Sequence, residues 1–104
     1  MRFKSGYIYI MTNKHKTTIY VGVTSDLIKR VAEHKTHKFN ASFTARYNLE
    51  YCVYYECFDS IVVAIAREKE IKKWRREKKD NLINSKNPEW KEVVDDKRFI
   101  LELK

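Results

Sequence analysis

A chain of 104 residues with 43% hydrophobic content and only three Gly and Pro residues has the composition of one folded domain; it excludes a disordered or collagen-like chain and leaves little room for a second core. The 22 Lys and Arg against 14 Asp and Glu give a net charge of +8, and the excess is segregated: residues 1–40 carry eight basic and two acidic groups and residues 61–88 nine and four, while 41–60 and 89–104 are slightly acidic. Such placement is the footprint of a nucleic-acid-binding surface or, equally, of a soluble lysine-rich one, and no run approaches the ~18 consecutive apolar residues of a membrane span.

Residues 7–12 alternate, with Tyr7, Tyr9 and Met11 on one face and Ile8 and Ile10 on the other, which predicts a strand. The polar stretch from Thr12 to Thr17 reads as a connection. Residues 18–23 then alternate again, with Ile19, Val21 and Val23 opposite Tyr20 and Gly22. Two such runs joined by a short polar loop predict an antiparallel hairpin. Its aliphatic faces should match, leaving Tyr9 and Tyr20 together on the other side. Gly22 beside them has no side chain and would let another group approach the backbone.

Thr24, Ser25 and Asp26 put side-chain oxygens just ahead of an apolar-periodic run, the usual start of a helix. Leu27, Ile28 and Val31 form its buried stripe. Arg30 and His34, four apart, stack beside that stripe. They are either a solvated pair or a cation and an imidazole aimed at whatever lies next to the helix. Residues 36–48 lack a period; Phe39, Phe43 and Tyr47 recur at four-residue intervals and read as packing groups rather than a base-stacking platform. From Leu49 to Phe58 a β-branched and aromatic run puts Leu49, Tyr51, Val53 and Tyr55 on one face of a third strand, expected to be the most buried.

Asp59 or Ser60 caps the following helix, predicted to run on through Ile83. Ile61, Ala64, Ile65 and Ile71 mark its apolar side. Glu68 falls inside that stripe, where a carboxylate is costly unless it pairs, as with Lys72 one turn on, or holds a cation. Beyond Ile71 the helix is nearly all charge, either a solvated face or a basic rail around Trp74. Asn87-Pro88 reads as the cap and first residue of a short helix reaching about Asp95, with a tail after it. Cys52 and Cys57 have neither zinc-ribbon nor redox spacing and read as two free, buried thiols. With no leader-like N-terminal run and no membrane span, the expectation is a cytoplasmic protein.

These features combine into a spaced set. Tyr7-Ile8-Tyr9, then Tyr20-Val21-Gly22 with Tyr20 eleven residues after Tyr9, then Arg30 and His34, then Glu68 in Ala66-Arg67-Glu68, resembles the GIY-YIG nuclease domain. The basic Lys72-Lys73-Trp74-Arg75-Arg76 and the Asn87-Pro88-Glu89-Trp90 segment look like its small stand-alone branch, related to the nuclease domain of the excinuclease C subunit. Tyr7 departs from the usual glycine of the first triplet and, facing the same way as Tyr9, could crowd the site. The resemblance implies a mixed α/β (α+β) domain, order β-β-α-β-α-α, with a three-stranded antiparallel sheet flanked by helices. It covers a core of about residues 5–88, followed by a C-terminal helix and tail at 89–104.

The implied activity is a DNA endonuclease of the kind used in DNA repair. Phosphodiester hydrolysis needs an in-line water, charge neutralisation at the phosphoryl oxygens and help for the leaving oxygen. The resemblance gives the base role to Tyr9 with Tyr20 hydrogen-bonding alongside, or the reverse. A tyrosine's ordinary pKa near 10 then needs a nearby cation to favour the phenolate. Arg30 would clamp the phosphate, His34 orient water or relay a proton, and Glu68 hold Mg²⁺ or Mn²⁺. Lys35, Lys69, Lys72, Lys73, Arg75 and Arg76 would hold the flanking nucleic-acid backbone, with Gly22 and Asn87 in structural roles. The alternatives are a nucleic-acid-binding module with little or no cleavage, and a domain whose basic face meets an acidic protein.

Overall fold

The computed structural model describes residues 4–38 and 42–103. Strands β1 (Gly6–Thr12), β2 (Ile19–Thr24) and β3 (Tyr51–Phe58) form one antiparallel sheet in the order β2-β1-β3. Helix α1 (Leu27–Lys35) follows the hairpin, the single turn α2 (Phe43–Arg46) precedes β3, and α3 (Ile61–Lys72) and α4 (Arg76–Lys86) follow it. This is an α+β fold in the expected order, with the one-turn α2 added.

The hairpin register matches the aliphatic faces as their alternation requires: Ile8 opposes Val23 and Ile10 opposes Val21. With Val53, Tyr54, Ala64, Ile71 and Ile83 these close one core between the sheet and helices α3 and α4. The other face carries Tyr9 and Met11 against Leu27 and Val31 of α1, together with Leu49, Cys52, Val93 and Val94. Helix α1 starts where Asp26 accepts a hydrogen bond from Lys29 N, and α3 starts where Ser60 accepts one from Val62 N. Gly6 permits the contact between β1 and α3, because a Cβ there would lie 2.7 Å from Ile61 Cδ1 and 2.9 Å from Ile61 Cα.

Several expectations are corrected. The central and most buried strand is β1, whose Ile8, Tyr9, Ile10 and Met11 are fully buried, because β3 pairs with β1 and leaves itself an edge. The register between β1 and β3 slips between Ile10 and Met11, which oppose Tyr54 and Cys52. That extra residue breaks the alternation of β3. Val53 and Tyr54 therefore both join the α3 side, and Tyr55 packs on the other.

The helix expected through Ile83 ends at Lys72 and restarts at Arg76. A straight helix would hold Ile71 and Ile83 about 18 Å apart; the turn at Lys73–Arg75 folds both, fully buried, into one core with Trp74 against it.

Asn87 does not open a helix. Its backbone N–H closes α4 onto Ile83 O at 2.7 Å, and its buried side chain donates to Val53 O and Lys91 O, both at 2.8 Å, while accepting from Lys91 N at 3.1 Å. Three backbone groups satisfied by one amide outweigh a cap, and the chain that follows forms no helix among the described residues, with Val94 bridging Cys52 and Phe99. Both cysteines are free, but only Cys52 is buried, its thiol pushed up to about 12 mainly by burial. No helix among the described residues is long and apolar enough to cross a membrane.

Candidate active site

The hairpin and α1 build the site. Tyr9 on β1 stands directly opposite Gly22 on β2. Its ring occupies the space of the missing side chain, since a Cβ on Gly22 would lie 2.5 Å from both the Tyr9 Cζ and its hydroxyl. The group for which Gly22 makes room is thus Tyr9 itself. Tyr20, on the same face, has its ring centroid 6.4 Å from that of Tyr9 and 5.9 Å from that of His34.

One helical turn puts Arg30 and His34 over these rings. His34 Nε2 lies 2.9 Å from the Tyr9 hydroxyl, and His34 Nδ1 lies 3.0 Å from Thr44 Oγ1 on α2. Arg30 Nε donates to Glu33 Oε1 at 3.0 Å, leaving the Arg30 side chain 41% exposed. Tyr20, Arg30, Glu33, His34, His37, Ser42, Phe43 and Thr44 line a cleft of about 300 Å³.

Burial first, and then the Arg30 charge, push His34 down to about 4, so the imidazole is neutral near pH 7. Burial first, and then Tyr20, hold Tyr9 well above the ordinary tyrosine range despite the opposing influence of Arg30. Burial of the Glu33 carboxyl is outweighed by Lys38, Arg30 and Lys29, so Glu33 titrates below the usual carboxylate range. Tyr9 is fully buried and bonded to His34, whereas Tyr20 is half-buried and its hydroxyl has no hydrogen-bond partner among the described residues.

Glu68 does not line the cleft. Its side chain, 14% exposed, accepts Lys72 Nζ at 3.4 Å, and that ammonium lies 5.5 Å from the centre of the Tyr20 ring. Lys72 thus links the carboxylate to the tyrosines. Among the described residues no group of three or more His, Cys, Asp or Glu side chains could hold a metal ion. A single half-buried carboxylate still suits a hydrated hard cation, which commonly takes one or two protein oxygens and completes its shell with water and phosphate. Glu68 is such a carboxylate.

The basic residues separate into two sets. Lys35 is paired with Glu92 and sits 5.0 Å from the Tyr51 ring centre, while Arg76 ties α4 to the hairpin loop through Thr17 O at 2.9 Å and bonds Asp80 at 2.7 Å. Lys69, Lys73 and Arg75 are exposed at the α3–α4 corner and form no ion pair among the described residues. Tyr7 packs on Tyr55 and Phe99 and so leaves the site uncrowded. Phe43 and Tyr47 touch each other and remain 49% and 44% exposed, so they are only partly packing groups; Phe39 lies outside the described residues. Sequence reasoning missed Glu33, Ser42 and Thr44. The available signal was Ser42 as a cap, and α2 is too short to show a period.

The spacing seen in the sequence has a counterpart in known families: a model described as the GIY-YIG catalytic domain matches residues 5–81. The chain belongs to the GIY-YIG family. Three similar relatives are UPF0213 proteins. One from Haloquadratum walsbyi is 38% identical over 76 residues, 73% of this chain and 83% of the relative. One from Syntrophus aciditrophicus is 37% identical over 83 residues, 80% and 93% of the two chains, and one from Streptococcus pyogenes is 42% identical over 74 residues, 70% and 77%. No solved structure matches. As a GIY-YIG domain the chain falls in a family whose chemistry is generally endonucleolytic, with nucleic acid as substrate and divalent metal as the usual cofactor.

Proposed function

We propose that this GIY-YIG protein is a metal-dependent endonuclease that hydrolyses phosphodiester bonds in DNA. The observation that carries the reading is the convergence of Tyr20, a neutral His34 and a half-exposed Arg30 on one cleft, with Tyr9 buried behind it and bonded to His34. Arg30 offers planar donors to the scissile phosphate and neutralises charge on its phosphoryl oxygens. Tyr20 is assigned to the attacking water, because it faces the cleft and has the Lys72 ammonium beside its ring to offset negative charge. Tyr9, buried and bonded to His34, is assigned to hold that imidazole in place. Of the two tyrosine assignments that the resemblance leaves open, this is the second. His34 is neutral near pH 7 and lines the cleft without adding charge to it.

Glu68 would hold Mg²⁺ or Mn²⁺, which when bound supplies Lewis-acid stabilisation of the phosphoryl oxygens. Lys69, Lys72, Lys73 and Arg75 would grip the flanking backbone, a contact that weakens steeply with salt. One observation favours a binding module instead: Glu68 is paired with Lys72, and Arg30 with Glu33, so the charge of each reacting group is already met by a neighbour.

Cleavage of labelled single-stranded, duplex and branched DNA with Mg²⁺ or Mn²⁺ separates the two readings. Metal-dependent cutting abolished by Arg30→Ala and by Glu68→Ala, with circular dichroism unchanged, supports the nuclease. Binding without cutting under either metal leaves the binding module.

A further inference from the structure

The His34 ring is held at both nitrogens, and the second contact comes from an element outside the spaced set. Thr44 is buried in α2, with its Oγ1 at 3.0 Å from His34 Nδ1 and 3.1 Å from Ser42 Oγ. Ser42 is in turn the cap of α2 and accepts from Ala45 N at 3.3 Å. We propose that Thr44 is a positioning residue: by accepting the Nδ1 proton of His34 it leaves Nε2 as the unprotonated nitrogen facing Tyr9.

The direction of the chain follows from which groups can donate. Tyr9 is fully buried, and among the described residues the one acceptor bonded to its hydroxyl is His34 Nε2. A Tyr9 proton aimed at Nε2 leaves the neutral ring's own proton on Nδ1, where Thr44 Oγ1 accepts it. The Thr44 proton then passes to Ser42 Oγ, whose remaining acceptor capacity serves the cap. The hydrogens of Tyr9, His34 and Thr44 each have a partner in this sequence. The opposite direction would leave a buried phenol proton with none, an arrangement folded proteins avoid. The outer partner of an imidazole is a known means of fixing its tautomer and orientation.

The consequence for chemistry rests on the nuclease reading above, while the tautomer itself does not. The charged and titratable groups facing His34 are Tyr9 from β1, Tyr20 from β2, and Arg30, Glu33 and His37 around the cleft. Thr44 carries no charge, so replacing it changes the hydrogen bond without altering that field.

The test is nitrogen NMR of ¹⁵N-histidine-labelled protein at pH 7.5, with cleavage kinetics on the same samples, for wild type, Thr44→Val and Thr44→Ser. In wild type His34 should carry its proton on Nδ1. Thr44→Val keeps the shape, removes the acceptor, and should shift the population toward the Nε2–H form and lower kcat about tenfold to a hundredfold with KM little changed. Thr44→Ser should restore both the tautomer and most of the rate. An Nδ1–H signal that persists in Thr44→Val overturns the proposal, as does an Nε2–H form in wild type. A Thr44→Ser variant as impaired as Thr44→Val would assign a packing role in its place. If wild type cuts no DNA, the nuclease reading fails and the NMR arm still decides the role of Thr44.

Discussion

Each side of the sheet holds a tyrosine hydroxyl bonded to a titratable side chain with an arginine close by, yet only one of the two groups forms a site. On the α3 side Tyr54 donates to Glu56 at 2.6 Å, and Glu56 receives two bonds from Arg67, at 2.9 and 3.1 Å. Arg67 also pairs with Glu70 and lies 5.2 Å from the centre of the Trp74 ring, which Lys78 covers at 4.2 Å. Every strong donor there has found an acceptor, and the group fastens β3 to α3. On the α1 side Tyr9 meets an imidazole instead of a carboxylate, Arg30 has one carboxylate contact, and a cleft opens beside it. A carboxylate that accepts a bidentate arginine closes a network. An arginine that meets a single carboxylate beside a cleft keeps further donors for an anion.

Substitutions of the two arginines should break this comparison most sharply. Arg30→Ala should lower cleavage by about 10²–10³, the usual cost of losing one preorganised donor to a developing charge. Its exposed pair with Glu33 should be worth less than about 1 kcal/mol to stability in urea unfolding. Arg67→Ala should do the reverse. It leaves Glu56 partly buried beside Tyr54, costing about 1–3 kcal/mol in the same measurement, with specific activity of the folded protein unchanged. Equal losses of stability in the two variants, or equal losses of activity, would dissolve the distinction.

Gly22→Ala tests whether the site side depends on close approach. Its Cβ would fall 2.5 Å from the Tyr9 hydroxyl, so the ring must move or the strands must part. We expect a loss of about 1–3 kcal/mol in urea unfolding and disappearance of the Tyr9–His34 contact from the NMR spectrum. Asn87→Ala, by removing the donor to the carbonyls of Val53 and Lys91, should cost about 1–3 kcal/mol without touching cleavage per folded molecule.

A further expected effect is on pH dependence. His34 is held at about 4 in the fold against 6.5 when free, so between those values the unfolded chain binds more protons than the native one. Its contribution to stability is therefore complete above about pH 6.5 and is lost as pH falls toward about 4. His34→Gln should flatten the stability curve across that window in acid titrations followed by circular dichroism. A curve of unchanged slope would mean that His34 is not buried as described.

Much of the site's frame was written locally. The alternation of residues 7–12 and 18–23 and the short link between them require a hairpin with Tyr9, Tyr20 and Gly22 on one face. The helical spacing of Leu27 and Val31 then turns Arg30 and His34 toward that face. These features depend on neighbours a few residues apart, which period and turn chemistry encode directly. Other features depend on partners that pattern cannot pair. The central place of β1 rests on β3 arriving some forty residues later, and the slip in register that divides β3 between two cores rests on that same encounter.

Lys35 and Arg76 were legible as positive charges, but their engagement with Glu92 and with the Thr17 carbonyl was not. Asn87 read locally as a helix cap, whereas the Val53 carbonyl across the fold made it the clasp of the C-terminal segment. Thr44 lies in a stretch without a period, and only the approach of α2 to α1 gives its hydroxyl an imidazole to hold. Sequence by itself determined which residue types could meet along one hairpin and one helix. The tertiary structure decided which hydrogen-bonding groups would be used up in holding the fold and which would remain open, because satisfaction of a buried polar group depends on every element packed around it.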